Sequence, residues 1–101
     1  MMRKPNIVLF VPDSYRGDVL GHRGNAAAVT PNLDAFVADG AVSYASAFAQ
    51  SPVCTPSRCS FMTGLYPHVH GHRSMRNMLK EHEPDLLTVL KREGYRIWWS
   101  G

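Results

Sequence analysis

The hydrophobic pattern changes period along this chain. Ile7-Val8-Leu9-Phe10-Val11 is an unbroken β-branched and aromatic run, bounded by Pro5 and by Pro12-Asp13. A continuous apolar run of this length suits a strand buried on both faces of a parallel sheet. From Thr30 the spacing becomes helical: Leu33, Phe36 and Val37 share one face, Thr30 is placed as N-cap, Pro31 as the first helical residue and Gly40 as the stop. Residues 41–49 carry Val42, Tyr44 and Phe48 among small side chains and are expected to run extended. Residues 57–62 are expected to form a helix that closes near Gly64. Leu86, Leu87 and Leu90 make the buried stripe of a third helix over 84–93, stopped by Gly94, and residues 95–99 return as a strand. The stretch 64–83, rich in His, Arg and Met, reads as an irregular surface loop broken by one helical turn. No repeat or low-complexity segment interrupts this order. It predicts an α/β domain with a mostly parallel sheet flanked by helices.

Composition narrows the function classes. With 101 residues the chain fits one small domain, which buries only roughly 60–68% of its unfolded surface; that is little for an enzyme. The formal charge is +3 with five histidines, but Lys and Arg are dispersed and aromatic residues do not interleave with them, so no nucleic acid surface is expected. Cys54 and Cys59 make neither a disulfide framework nor a C-x-x-C motif, and no zinc-like His/Cys cluster is present. A reducing compartment is the simpler inference. The apolar run after Met1-Met2-Arg3-Lys4 is too short for a signal peptide, and no stretch approaches the ~20 apolar residues of a membrane span. A cytoplasmic location with no membrane partner is therefore the expectation.

Candidate chemistry concentrates at two places. Asp13 falls at the carboxyl end of the first expected strand, the edge where open α/β sheets bind ligands. Cys54 opens the run Cys-Thr-Pro-Ser-Arg. A cysteine just ahead of a helix, with a proline two residues later and an arginine four later, combines an activatable side chain, a fixed turn and a nearby positive charge. That combination suits an anionic substrate, and the i, i+4 spacing lets Arg58 reach back toward Cys54. Taken singly, these residues also fit plainer roles: a small buried thiol, a cap or turn aspartate, a surface arginine. His68, His70 and His72 alternate near Gly71, but alternation in a loop does not make convergent metal ligands. Cys59, Met62, Met75 and Met78 are expected to pack.

The pattern C-x-P-x-R-x-x-x-x-T-G over residues 54–64 resembles the signature of the sulfatases, a branch of the alkaline phosphatase superfamily. Pro5-Asn6-Ile7-Val8-Leu9-Phe10-Val11-Pro12-Asp13 resembles that family's first strand and first metal ligand. Thr30-Pro31-Asn32-Leu33-Asp34 resembles its "TPNLD" helix start, and Thr63-Gly64-Leu65-Tyr66-Pro67-His68 the continuation of its signature. The pieces cover most of the chain from Pro5 to Gly101, in family order. The resemblance implies a type I sulfatase. Cys54 is matured to formylglycine by a formylglycine-generating enzyme, and its hydrated aldehyde attacks the sulfur of a small sulfate ester. Arg58 stabilises that group. A divalent cation, Ca²⁺ first and Mg²⁺ or Mn²⁺ otherwise, is held by Asp13 and by Cys54 as formylglycine. Most sulfatases carry Asp-Asp where this chain has Asp13-Ser14, so Ser14 is a weak ligand or none. That departure keeps open a phosphonate monoester or phosphodiester hydrolase of the same superfamily. Asp18 resembles a residue that supports the loop below the metal. Because sulfatases are several times longer, the resemblance further implies the N-terminal portion of one catalytic domain, inactive alone, with a catalytically silent fragment as the rival of another class. Trp98 and Trp99 fall on a strand that is interior in the whole fold, so at least one is expected to be exposed here.

Overall fold

A computed structural model describes residues 4–100. The chain divides into two compact units, one ending at Ser46 and the other beginning at Ala47. The described residues form one 3-10 turn, Gly21–Arg23, and four helices: α1 Pro31–Ala38, α2 Cys54–Thr63, α3 Pro67–His70 and α4 Leu86–Arg92. No strand is formed among them.

In the first unit a polar hub joins α1 to the 3-10 turn. The Asp34 carboxylate accepts from the His22 backbone N–H at 2.8 Å, faces His22 Nδ1 at 3.2 Å, and accepts from the Thr30 hydroxyl at 3.1 Å. Thr30 Oγ1 in turn accepts from the Gly21 N–H at 2.9 Å. Thr30 therefore occupies the N-cap position but makes no side-chain cap; its hydroxyl is committed to the hub. Gly21 is required there, because a Cβ would come within 2.5 Å of Asp34 Oδ2. The ring of His22 reaches Ser43 Oγ at 2.9 Å, and the Arg23 guanidinium donates to the carbonyl of Ala45 at 3.2 Å, tying down the segment after α1.

Both glycine stops are real and share one mechanism. After α1, Gly40 takes positive φ, its N–H donates to Val37 O and that of Ala41 to Phe36 O; after α4, Gly94 and Tyr95 repeat this onto Lys91 O and Leu90 O. These are Schellman closures, which need the left-handed residue that glycine supplies without strain. α4 starts two residues later than the pattern predicts because Asp85 caps it, accepting from Thr88 N at 3.0 Å and Thr88 Oγ1 at 2.6 Å. α3 is the helical turn expected inside 64–83.

The three expected extended segments pair with no partner among the described residues. Residues 7–11, 41–49 and 95–99 form no ladder, so their apolar side chains stay in solvent: Val8 is 91% and Phe10 84% exposed, and Trp98 is 90% exposed. The physical reason is that a strand, unlike a helix, satisfies its backbone only through a partner segment. The helix stripes are also open, with Leu33 and Phe36 of α1 exposed. Among the described residues full burial is confined to the second unit, where Pro56, Cys59, Ser60 and His72 are enclosed around α2. Cys59 packs as expected; Met75 and Met78 are exposed instead.

Candidate active site

α2 begins at Cys54 itself, three residues before the sequence pattern places it. Its N-cap is Val53, which offers no side-chain hydrogen bond, and its first turn contains no acidic residue. Valine is a poor cap, so the positive end of the helix is left for an anion. Pro56, fully buried, lies in the first turn where its missing N–H costs nothing. Ser57 N closes the first α-helical bond onto Val53 O at 3.0 Å, and Gly64, at φ 72°, ends the helix by donating to Ser60 O at 2.8 Å. This leaves Cys54 exposed at the first helical position. Arg58, also exposed, lies one turn along the helix on the same face.

The Cys54 thiol donates to Met75 Sδ at 3.1 Å, and the Thr55 hydroxyl donates to the same sulfur at 3.4 Å. Met75 was expected only to pack; in the structure it lies beside the candidate nucleophile. It is brought there by a segment pinned beneath its turn. The buried His72 ring places Nε2 at 2.8 Å from both oxygens of Glu83, and Glu83 Oε2 accepts from Lys80 N at 2.6 Å. That backbone N–H first, and then the His72 ring, hold the Glu83 carboxyl below its usual range against the opposing effect of burial. The His72–Glu83 pair has no sequence signature, since its partners are eleven residues apart in a loop.

Ser60 and His70 form a second polar contact, Oγ to Nε2 at 3.0 Å. The His72 N–H donates to His70 Nδ1 at 2.9 Å, so in the neutral ring the proton sits on Nε2 and is donated to Ser60. That is the reverse of what a general base toward serine requires. Burial first, then the neighbouring His72 and His68 charges, lowers the His70 pKa and favours this neutral form, against an opposing pull from Glu83. The contact braces α2 against α3. Burial likewise raises the Cys59 thiol, which fits an inert packing role. An open cleft of about 300 Å³ lined by Gln50, Ser60, Phe61, Gly64, Leu65 and Tyr66 includes neither Cys54 nor Arg58.

Asp13 and Ser14 belong to the first unit. They form a turn in which Ser14 takes a left-handed conformation at φ 53°, unusual outside glycine, and its hydroxyl donates to Asp13 Oδ2 at 3.2 Å. Two hard oxygen donors side by side fit the chemistry of Ca²⁺ or Mg²⁺. They do not fill a shell, and no group of three or more His, Cys, Asp or Glu converges on a metal position among the described residues. Asp18 is held by Arg16 in an exposed ion pair, which lowers its pKa, and its backbone carbonyl accepts from Asn25 Nδ2 at 2.7 Å.

Comparison with known proteins decides the family. The sulfatase family model matches residues 5–101. The chain belongs to the sulfatase family. The sulfatase chain is 40% identical over 98 residues to an ulvan-active sulfatase of Formosa agariphila, covering 97% of the chain and 19% of that relative. It is 36% identical to an arylsulfatase of Clostridium perfringens over 97% of the chain and 20% of the relative, and 33% identical to human arylsulfatase K over 93% and 17%. It thus spans about a fifth of the length of these curated relatives. No solved structure matches it. Sulfatase membership carries the alkaline-phosphatase-like α/β class; the described residues contribute helices to it. No helix among them is long and apolar enough to cross a membrane.

Proposed function

We propose that this chain carries the nucleophile end of a sulfate-ester hydrolase, within the N-terminal part of a single catalytic domain. The observation that supports this most directly is Cys54, exposed at the first position of an uncapped α2 with Arg58 one turn behind it. In this reading a formylglycine-generating enzyme, using an external oxidant, oxidises the Cβ of Cys54 to an aldehyde with loss of the thiol sulfur, and the aldehyde hydrates to a gem-diol. One hydroxyl attacks sulfur as the ester's alcohol departs with its bonding pair; loss of the second hydroxyl's proton then expels sulfate by C–O cleavage and restores the aldehyde. Arg58 and the α2 N-terminus offset the negative charge that develops on the sulfuryl oxygens. Asp13, with Ser14, would offer oxygen donors to a divalent cation, Ca²⁺ or else Mg²⁺ or Mn²⁺. Such a cation supplies Lewis-acid stabilisation of the charge. Ser14, a neutral oxygen where most sulfatases have a second aspartate, favours a second reading in which the same apparatus accepts a phosphonate monoester or phosphodiester.

The test is the mass of the tryptic peptide 24–58 from protein of the native source. The aldehyde or its hydrate at Cys54 is expected. An unmodified thiol throughout would replace this reading with a catalytically silent one.

A further inference from the structure

We propose that Met75 is a specificity-determining residue of the Cys54 site, its thioether forming an apolar wall that favours an ester whose alcohol half is aromatic or otherwise apolar. This inference rests on the reading of Cys54 as the reacting position. Met75 Sδ lies 3.1 Å from Cys54 Sγ and 3.4 Å from Thr55 Oγ1. A group attached to residue 54, or attacked from it, on this flank therefore comes within the ~3.5–4.0 Å reach of dispersion contact with Met75. A thioether is uncharged and only a weak acceptor, so it adds nothing to the neutralisation of sulfate. That task falls to Arg58 and the α2 N-terminus, leaving Met75 for the uncharged half of the substrate. Methionine suits such a wall because it is polarisable, adapts its shape and makes favourable sulfur–aromatic contacts.

The position is built rather than incidental. Met75 follows Ser74 in a turn where Asn77 N donates to Ser74 O at 3.4 Å and Arg76 N to Ser74 Oγ at 3.4 Å. The chain on either side of this turn is tied by the buried His72 to Glu83, and Glu83 to Lys80 N. Met75 itself remains 55% exposed, so one flank meets Cys54 while the other stays open to a ligand.

The experiment uses the Cys54 thiol as its own reporter. The chain is alkylated at one pH with two neutral reagents, N-benzyliodoacetamide and iodoacetamide, and the rate at Cys54 is read from the mass of peptide 24–58. The benzyl-to-plain rate ratio is compared with that of the same chain unfolded in urea. The wild-type ratio is expected to exceed the unfolded reference by about two- to tenfold, the range of a sulfur–aromatic contact. Met75→Gln is expected to return it to the reference, and Met75→Leu to keep most of it, with helix content by circular dichroism unchanged in both. A ratio equal in wild type and Met75→Gln overturns the proposal, as does an equal acceleration of both reagents in the two variants, which makes Met75 a mere shield. The readout needs no maturation of Cys54. A failed ratio beside a formylglycine-containing peptide therefore sinks the Met75 assignment alone.

Discussion

The two candidate positions of this chain are built in different ways. The position of Cys54 comes from nearby chain, since α2 closes its own backbone ladder and Gly64 ends it, and only Met75 is brought to it from a distant loop. Around Asp13, the approach is the run 7–11, whose backbone has no strand partner among the described residues and whose side chains stand in solvent. The first unit keeps its order through the Asp34 hub instead, a few residues further on. The difference shows that the helical position of Cys54 is set by local sequence, whereas a carboxylate at the end of an expected strand is set only when the sheet beneath it is present. A strand's hydrogen bonds and both its faces belong to other segments.

The largest effect should separate the two cysteines. In the full-length protein Cys54→Ala is expected to lower aryl sulfate hydrolysis by at least ~10³-fold, as loss of a covalent nucleophile does, while Cys59→Ala leaves it within about tenfold because Cys59 only packs. Equal losses would mean that Cys54 is the wrong cysteine for the nucleophile. If aryl phosphonate is turned over faster than aryl sulfate, the second reading suggested by Ser14 takes precedence.

Amide hydrogen exchange tests the comparison itself. Amides within α2 are expected to exchange at least about tenfold more slowly than those of residues 7–11, a difference of ~1.4 kcal/mol in opening free energy. Equal protection in the two regions would mean that residues 7–11 are paired in solution and that the contrast is wrong.

A smaller effect concerns acid. Asp34 is lowered chiefly by the His22 backbone N–H, Glu83 chiefly by that of Lys80, and His70 chiefly by burial. Each group binds fewer protons folded than unfolded, so its contribution is complete above the unfolded pKa and is lost as pH falls through the folded one. The melting temperature should therefore drop in two stages on acidification, the first below 6.5, from His70 in the second unit, and the second below 4.5, where Glu83 and Asp34 titrate. His70→Asn, which can still accept from His72 N, should remove the first stage only. Persistence of that stage in the variant would place the titrating group elsewhere.

Helix ends were legible in the sequence because they are chemical signals within a few residues. Gly40 and Gly94 stop α1 and α4 where the pattern puts them, since only glycine meets the left-handed closure at no steric cost. The start of α2 was misplaced by three residues because neither Val53 nor Cys54 is a capping signal. The family itself was written in the Cys54 to Gly64 spacing and in the segments around Asp13 and Thr30.

Tertiary structure alone decided the rest. It placed Met75 against Cys54, twenty-one residues away, and His72 against Glu83, eleven away. Such contacts depend on how an irregular loop turns, and no periodicity records that. Sequence also marked residues 7–11 and 95–99 as strand-forming, but among the described residues neither meets the partner that a strand's backbone hydrogen bonds require.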